Sequence, residues 1–178
     1  MILRLLMLCL FFSNLVHAQE KVHYQIYLNP ELRYERDANQ QMSLRQPLGV
    51  GFGARKEKAT FILDTSYDTE RSGNQTLSID RSHYRVGFWL NYELYQFEQC
   101  NFFAGVGAGP FLETVKTTLN GVSTFDTGEI QPFGGAALGL RGFVFSRLVL
   151  SAEGRLLVGH NFDPNPQLGL LLRIGAEF

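Results

Sequence analysis

Apolar and polar positions alternate strictly near the end of the chain. Leu168, Leu170, Leu172, Ile174, Ala176 and Phe178 occupy one parity, and Gln167, Gly169, Arg173, Gly175 and Glu177 the other, with Leu171 the exception. A period of two is the signature of a strand with one apolar and one polar face. A tilted strand of ~9–11 residues crosses a bilayer, so Gln167–Phe178 is long enough to span one. The same alternation recurs in Val22–Tyr34, Leu44–Arg55, Ala59–Asp68, Ile79–Tyr95, Phe102–Thr114, Ile130–Phe143 and Leu148–Gly159. Pro30 cannot donate to a ladder, so a bulge or weakened pairing is expected in the first strand. Between the strands, long polar connections (Glu35–Ser43, Glu70–Ser78, Val115–Glu129, His160–Pro166) alternate with short ones (Arg55–Lys58, Gln96–Asn101, Val144–Arg147). An even strand count with this asymmetry predicts an all-β fold: an eight-stranded antiparallel up-and-down transmembrane β-barrel, both termini on the short-turn side.

Alternation alone does not say which face is the lumen, because a soluble eight-stranded barrel turns its apolar face inward. Three features choose. Glycines crowd the polar face (Gly49, Gly51, Gly53, Gly105, Gly107, Gly109, Gly169, Gly175), and small residues suit the inside of a narrow barrel. Aromatics gather at the two ends of the apolar face: Tyr24, Phe61, Tyr92, Phe102 and Phe178 toward the turns, and Tyr34, Tyr67 and Tyr84 toward the loops. Two such rings are what bilayer interfaces select. The polar face also carries both signs of charge, and its basic members are all arginine. Arginine clamps carboxylates through two parallel hydrogen bonds. Asp64, Arg85, Arg141, Glu153, Arg155 and Arg173 fall at about middle depth, so a lumen cross-linked by ion pairs is expected.

Composition narrows the class further. Met1–Arg4, the apolar run Leu5–Val16 and the small-residue site ending at Ala18 have the layout of a cleavable signal peptide over residues 1–18. Residues 19–178 then form one domain. The chain has 16 Lys and Arg against 17 Asp and Glu, a balance that points away from nucleic acid. Cys9 falls in the leader, leaving Cys100 alone in a turn and no intrachain disulfide. His23, His83 and His160 show no metal-ligand spacing along the chain, and Gly105-x-Gly107-x-Gly109 has neither the lysine nor the helix of a nucleotide loop. No catalytic, cofactor or metal residues are therefore assigned.

With the leader, the eight alternating strands, the segments V-G-F-G-A and F-F-A-G-V-G-A-G-P and the terminal aromatic in view, the chain resembles the small outer-membrane β-barrel family of the OmpA-barrel and OmpX type. The resemblance covers the whole of residues 19–178. It implies contact with outer-membrane lipid, residence in the outer membrane of a Gram-negative-type bacterium, and a final strand read by the barrel-assembly machinery through Ile174, Ala176 and Phe178. Arg173 stands where that family often has glycine. The expected role is structural, surface-interacting or envelope-anchoring, by a monomer without enzymatic activity. The loops Val115–Glu129 and Glu35–Ser43 are then the candidates for an extracellular ligand. One alternative is an OmpW-like channel for small solutes or apolar molecules. Another is a lipid-modifying outer-membrane enzyme. Outer-membrane deacylases carry serine two residues after the histidine, where this chain has Phe162 after His160 and Arg85 after His83.

Overall fold

The computed structural model describes residues 21–36, 41–74, 76–98, 100–144, 147–160, 162 and 164–178. The leader read at residues 1–18 lies outside them.

The described residues form ten strands: β1 (His23–Arg36), β2 (Met42–Arg45), β3 (Leu48–Lys56), β4 (Ala59–Gly73), β5 (Leu77–Phe97), β6 (Cys100–Leu119), β7 (Val122–Thr127), β8 (Gln131–Val144), β9 (Leu148–Gly159) and β10 (Gln167–Glu177). All pair antiparallel in one sheet of order β10-β9-β8-β6-β5-β4-β3-β1, and β10 returns to β1 to close the ring. The ring has eight members because β2 and β3 are a single strand broken at Gln46–Pro47. Arg33↔Arg45 and Pro30↔Leu48 keep the same register, and Glu31 N–H still donates to Pro47 C=O at 3.0 Å across the gap. Pro30 produces no bulge. The β1–β10 ladder lapses at Asn29 and Pro30 and resumes unshifted at Glu31↔Leu171.

The polar connections differ most from the linear reading. Val115–Glu129 is largely strand: β6 runs to Leu119, turns at Asn120–Gly121 with φ of 49° and 82°, and returns as β7. Asn-Gly is the pair that tolerates positive φ at both central positions of a tight hairpin. Glu70–Ser78 is likewise mostly strand, since β4 reaches Gly73 and β5 starts at Leu77. Polar composition does not break a ladder in water, where both faces of a strand can be wet. Lys116, assigned to a loop, therefore lies in β6. The four strands β4–β7 continue as a free-standing wall beyond the level where β9 and β10 stop. Among the described residues β7 pairs only with β6, and every residue of β7 is exposed. At the opposite rim β3–β4 and β5–β6 connect tightly, with Glu57 and Glu98 at positive φ.

Side chains sort by parity. Outward positions of the barrel are apolar and exposed, among them Leu28, Val50, Phe88, Val106, Leu138, Leu156, Leu170 and Ile174. Inward positions are buried and largely polar. A register shift between Glu93 and Tyr95 lets Leu94 and Tyr95 both face outward. The aromatics named from sequence lie on the outer face toward its ends. Tyr24 stacks with Phe52 at 6.0 Å and meets Phe178 at 6.4 Å near the short-turn rim, and Tyr67 meets Tyr84 at 5.0 Å near the wall. Tyr34 pairs with Leu44 at the loop end, Tyr92 with Ala59 beside a turn, Phe61 follows that turn by two residues, and Phe102 pairs with Tyr95 and is only half-exposed.

Candidate functional site in the barrel lumen

The inward charges named from sequence fall into three groups, each built by cross-strand register. In the central group, Asp64 of β4 accepts from Arg155 Nη2 at 2.6 Å and from Arg173 Nη2 at 3.2 Å. Glu153 binds the same two guanidiniums, Arg155 through Nε and Arg173 through Nη1. Two carboxylates and two guanidiniums thus close a charge-neutral ring between β4, β9 and β10, all four buried. Arg85 stands apart and pairs with Glu31. Arg33, also buried, lies 3.6 Å from Glu31 and 2.9 Å from Glu35, which in turn accepts from Gln167 at 2.9 Å. Arg141 lies nearer the short turns, donating to Thr60 Oγ1 at 2.7 Å and lying 3.5 Å from Glu93. Below it, Glu177 takes Arg55 Nη2 at 2.8 Å, His23 Nδ1 at 3.1 Å and Gln25, latching β1, β3 and β10 together.

Buried ions need more than a counter-ion, because desolvation offsets much of the Coulombic gain. Here each arginine of the sequence-predicted set also faces an aromatic ring: Arg155 over Trp89 at 4.0 Å, Arg141 over Phe103 at 5.1 Å, Arg85 over Phe133 at 5.6 Å and Arg173 over Tyr27 at 5.7 Å. Weakly hydrated guanidinium stacks well on such faces. Parity places Trp89 with Arg85 and Tyr27 with Arg33 on the inward face, but it gives no sign of these pairings, which depend on register.

Glycines make the room. A Cβ at Gly107 would overlap the Trp89 ring, and one at Gly87 would lie 2.6 Å from Trp89 Nε1 and from Asp64 Oδ1. The indole therefore lies flat in a trough that only glycine leaves open. Gly107→Ala is expected to lower stability by about 1–3 kcal/mol through overpacking. Gly134→Ala, whose Cβ would meet nothing closer than 3.8 Å, should be nearly silent. Heat-modifiable gel mobility at stepped temperatures compares the two.

Beside these polar groups part of the interior is apolar. Ile62, Trp89, Phe111, Phe133, Ala137, Leu157 and Phe162 form one buried cluster, with Phe162 entering from the β9–β10 connection to pack edge-on against Phe111 at 5.4 Å. The Phe162 contribution was not legible from alternation, because the residue lies outside any strand. Ile174, Ala176 and Phe178 sit on the outer face of the closing strand, Ala176 opposite Ile26 and Leu148, and the Phe178 backbone exchanges hydrogen bonds with Tyr24 at 3.0 and 2.9 Å. Cys100 is a free, exposed thiol at the short-turn rim.

No protein-family model matches the chain, and no curated protein matches it in sequence. Solved structures share its fold. Neisserial surface protein A superposes with a TM-score of 0.62 at 14% identity, covering 88% of this chain and 95% of that one. Ail, the attachment invasion locus protein of Yersinia pestis, in complex with the heparin analogue sucrose octasulfate, gives 0.63 at 13% identity over 89% and 99%. The N-terminal β-barrel domain of Pseudomonas aeruginosa OprF gives 0.54 at 11% identity over 90% and 100%.

Proposed function

We propose that this barrel is an integral outer-membrane protein, exported by the leader at residues 1–18, that works by surface contact and not by catalysis or transport. The observation that carries the reading is the difference between the two rims. One end closes in tight turns, while at the other β4–β7 stand clear of the barrel as an exposed wall. A rigid, ion-paired barrel with an apolar outer belt then serves as the anchor, and the wall is the part presented to the outside. The superposed proteins include one named for attachment and invasion and one named as a surface protein. A sulfated polymer is not the ligand class favoured here, because the wall mixes signs: Arg71 lies 3.5 Å from Asp80, and Asp126 faces Val115 beside Lys116. An OmpW-like route for apolar molecules would need a dry apolar lumen, whereas Arg155, Arg173, Asp64 and Glu153 occupy the middle of this one.

Orientation supplies the test. Cys100 marks the short-turn rim and Ser123 the exposed wall. In intact cells a membrane-impermeant maleimide should leave Cys100 unlabelled and should label Ser123→Cys made in a Cys100→Ser background. Opening the outer membrane should expose Cys100. Labelling of Cys100 in intact cells, or recovery of the protein in the soluble periplasmic fraction, overturns the proposal.

A further inference from the structure

At the loop-side mouth of the lumen, one carboxylate of the ion-pair network, Glu35, meets two side chains that the network does not use, Asp68 and His83. Asp68 of β4 faces His83 of β5, and His83 faces Glu113 of β6, so three side chains form one row across the wall. Glu35 reaches the same point from β1. One carboxylate oxygen each from Glu35 and Asp68 and one ring nitrogen of His83 all lie within 4.8 Å of one another. The floor is apolar: the His83 ring packs on Phe111 at 5.6 Å, and Phe111 on Phe162.

One donor atom at this point is left unsatisfied by its surroundings. Glu35 is buried and already engages Arg33 and Gln167. Asp68 Oδ2 is buried with no hydrogen-bond partner among the described residues. A desolvated carboxylate oxygen without a donor is costly, and a second carboxylate beside it adds repulsion. Of the nearby cations, Arg45 pairs with Glu70 and Arg71 with Asp80, while Arg81, two residues before His83, lies within electrostatic reach of Glu113. His83 Nε2 lies 3.8 Å from Glu113 Oε1, beyond hydrogen-bond range. A small ring rotation would let Glu113 accept one ring N–H while the other nitrogen coordinates, the arrangement that orients metal-bound histidines.

We propose that Glu35, Asp68 and His83 bind one divalent transition-metal cation at the mouth of the lumen, with Zn²⁺ the favoured ion. One imidazole with two carboxylates suits Zn²⁺ and its first-row neighbours, whereas Ca²⁺ and Mg²⁺ prefer all-oxygen sites. The bound cation ties the end of β1 to the base of the free-standing wall. The linear spacing of histidines gave no sign of it, because the donors come from three strands and meet only through register.

Calorimetric titration of ZnCl₂ into the folded full-length barrel in detergent should show one site per chain. His83→Ala and Asp68→Asn should each weaken it by roughly 10–100-fold, and His160→Ala on an exposed turn should not. Gel mobility confirms that each variant is folded. Wild-type protein titrated with Co²⁺ should show the visible ligand-field bands of a nitrogen-and-oxygen site, a readout independent of any variant. Absence of binding and of Co²⁺ bands in the wild type, unchanged affinity in both folded variants, or loss of binding on His160→Ala would each overturn the proposal.

Discussion

Glu153→Ala is expected to lower the unfolding free energy in phospholipid vesicles by about 3–5 kcal/mol, the cost of leaving buried charge without its counter-ion. Glu153 binds both Arg155 and Arg173, and all three are buried. Its removal leaves Asp64 alone to hold two guanidiniums at 2.6 and 3.2 Å. Pairing the change with Arg173→Met should restore part of the loss, since the remaining Arg155–Asp64 pair is neutral and a hydrophobic replacement for an ion pair is often tolerated. A double-mutant cycle from urea midpoints measures that coupling, which for a direct contact runs to about 0.5–3 kcal/mol. A coupling of zero would mean that the ring is not an energetic unit. The same variant probes conduction. Planar bilayers with the wild type should show no steady single-channel current, and the Glu153 or Arg141 variants should flicker open more often. Steady ion-selective channels in the wild type would contradict a lumen plugged by these ion pairs.

Why this ring could be anticipated, and its surroundings could not, follows from what alternation encodes. Parity assigns each residue to a face, so Asp64, Glu153, Arg155 and Arg173 were placed inside together. It does not give the offset between strands. Arg85 and Arg141 were grouped with the central charges by depth, yet one step of register sends Arg85 to Glu31 and Arg141 to Thr60 and Glu93. The Gly107 and Gly135 contacts with the Trp89 ring depend on the same offsets. The wall escapes alternation for a different reason. Inside a bilayer, alternation is enforced because one face meets lipid. Above it both faces meet water, the constraint lapses, and Val115–Thr127 reads as polar loop although its Thr- and Val-rich run pairs fully. The Asn120–Gly121 turn was the signal that survived.

Leu138→Arg should cost about 2–4 kcal/mol in vesicles, whereas Val122→Arg should cost little. Both residues are exposed, at 57% and 69%, and both sit in regular strands. A scale based on exposure alone would treat them alike. Leu138 lies midway along β8 on the outward face, opposite Ala104 and Gly154. A guanidinium there faces hydrocarbon, where the penalty is largest at the midplane and fades toward the interfaces. Val122 begins β7 beyond the barrel, where arginine meets water. The comparison therefore reads the solvent on each face and not the strength of the fold. Repeating it in short-chain and long-chain lipid vesicles sharpens the test, because the cost at Leu138 should hold in both while that at Val122 stays near zero. Equal and small effects at the two sites would mean that the outer belt faces water, and the membrane assignment would fall with it.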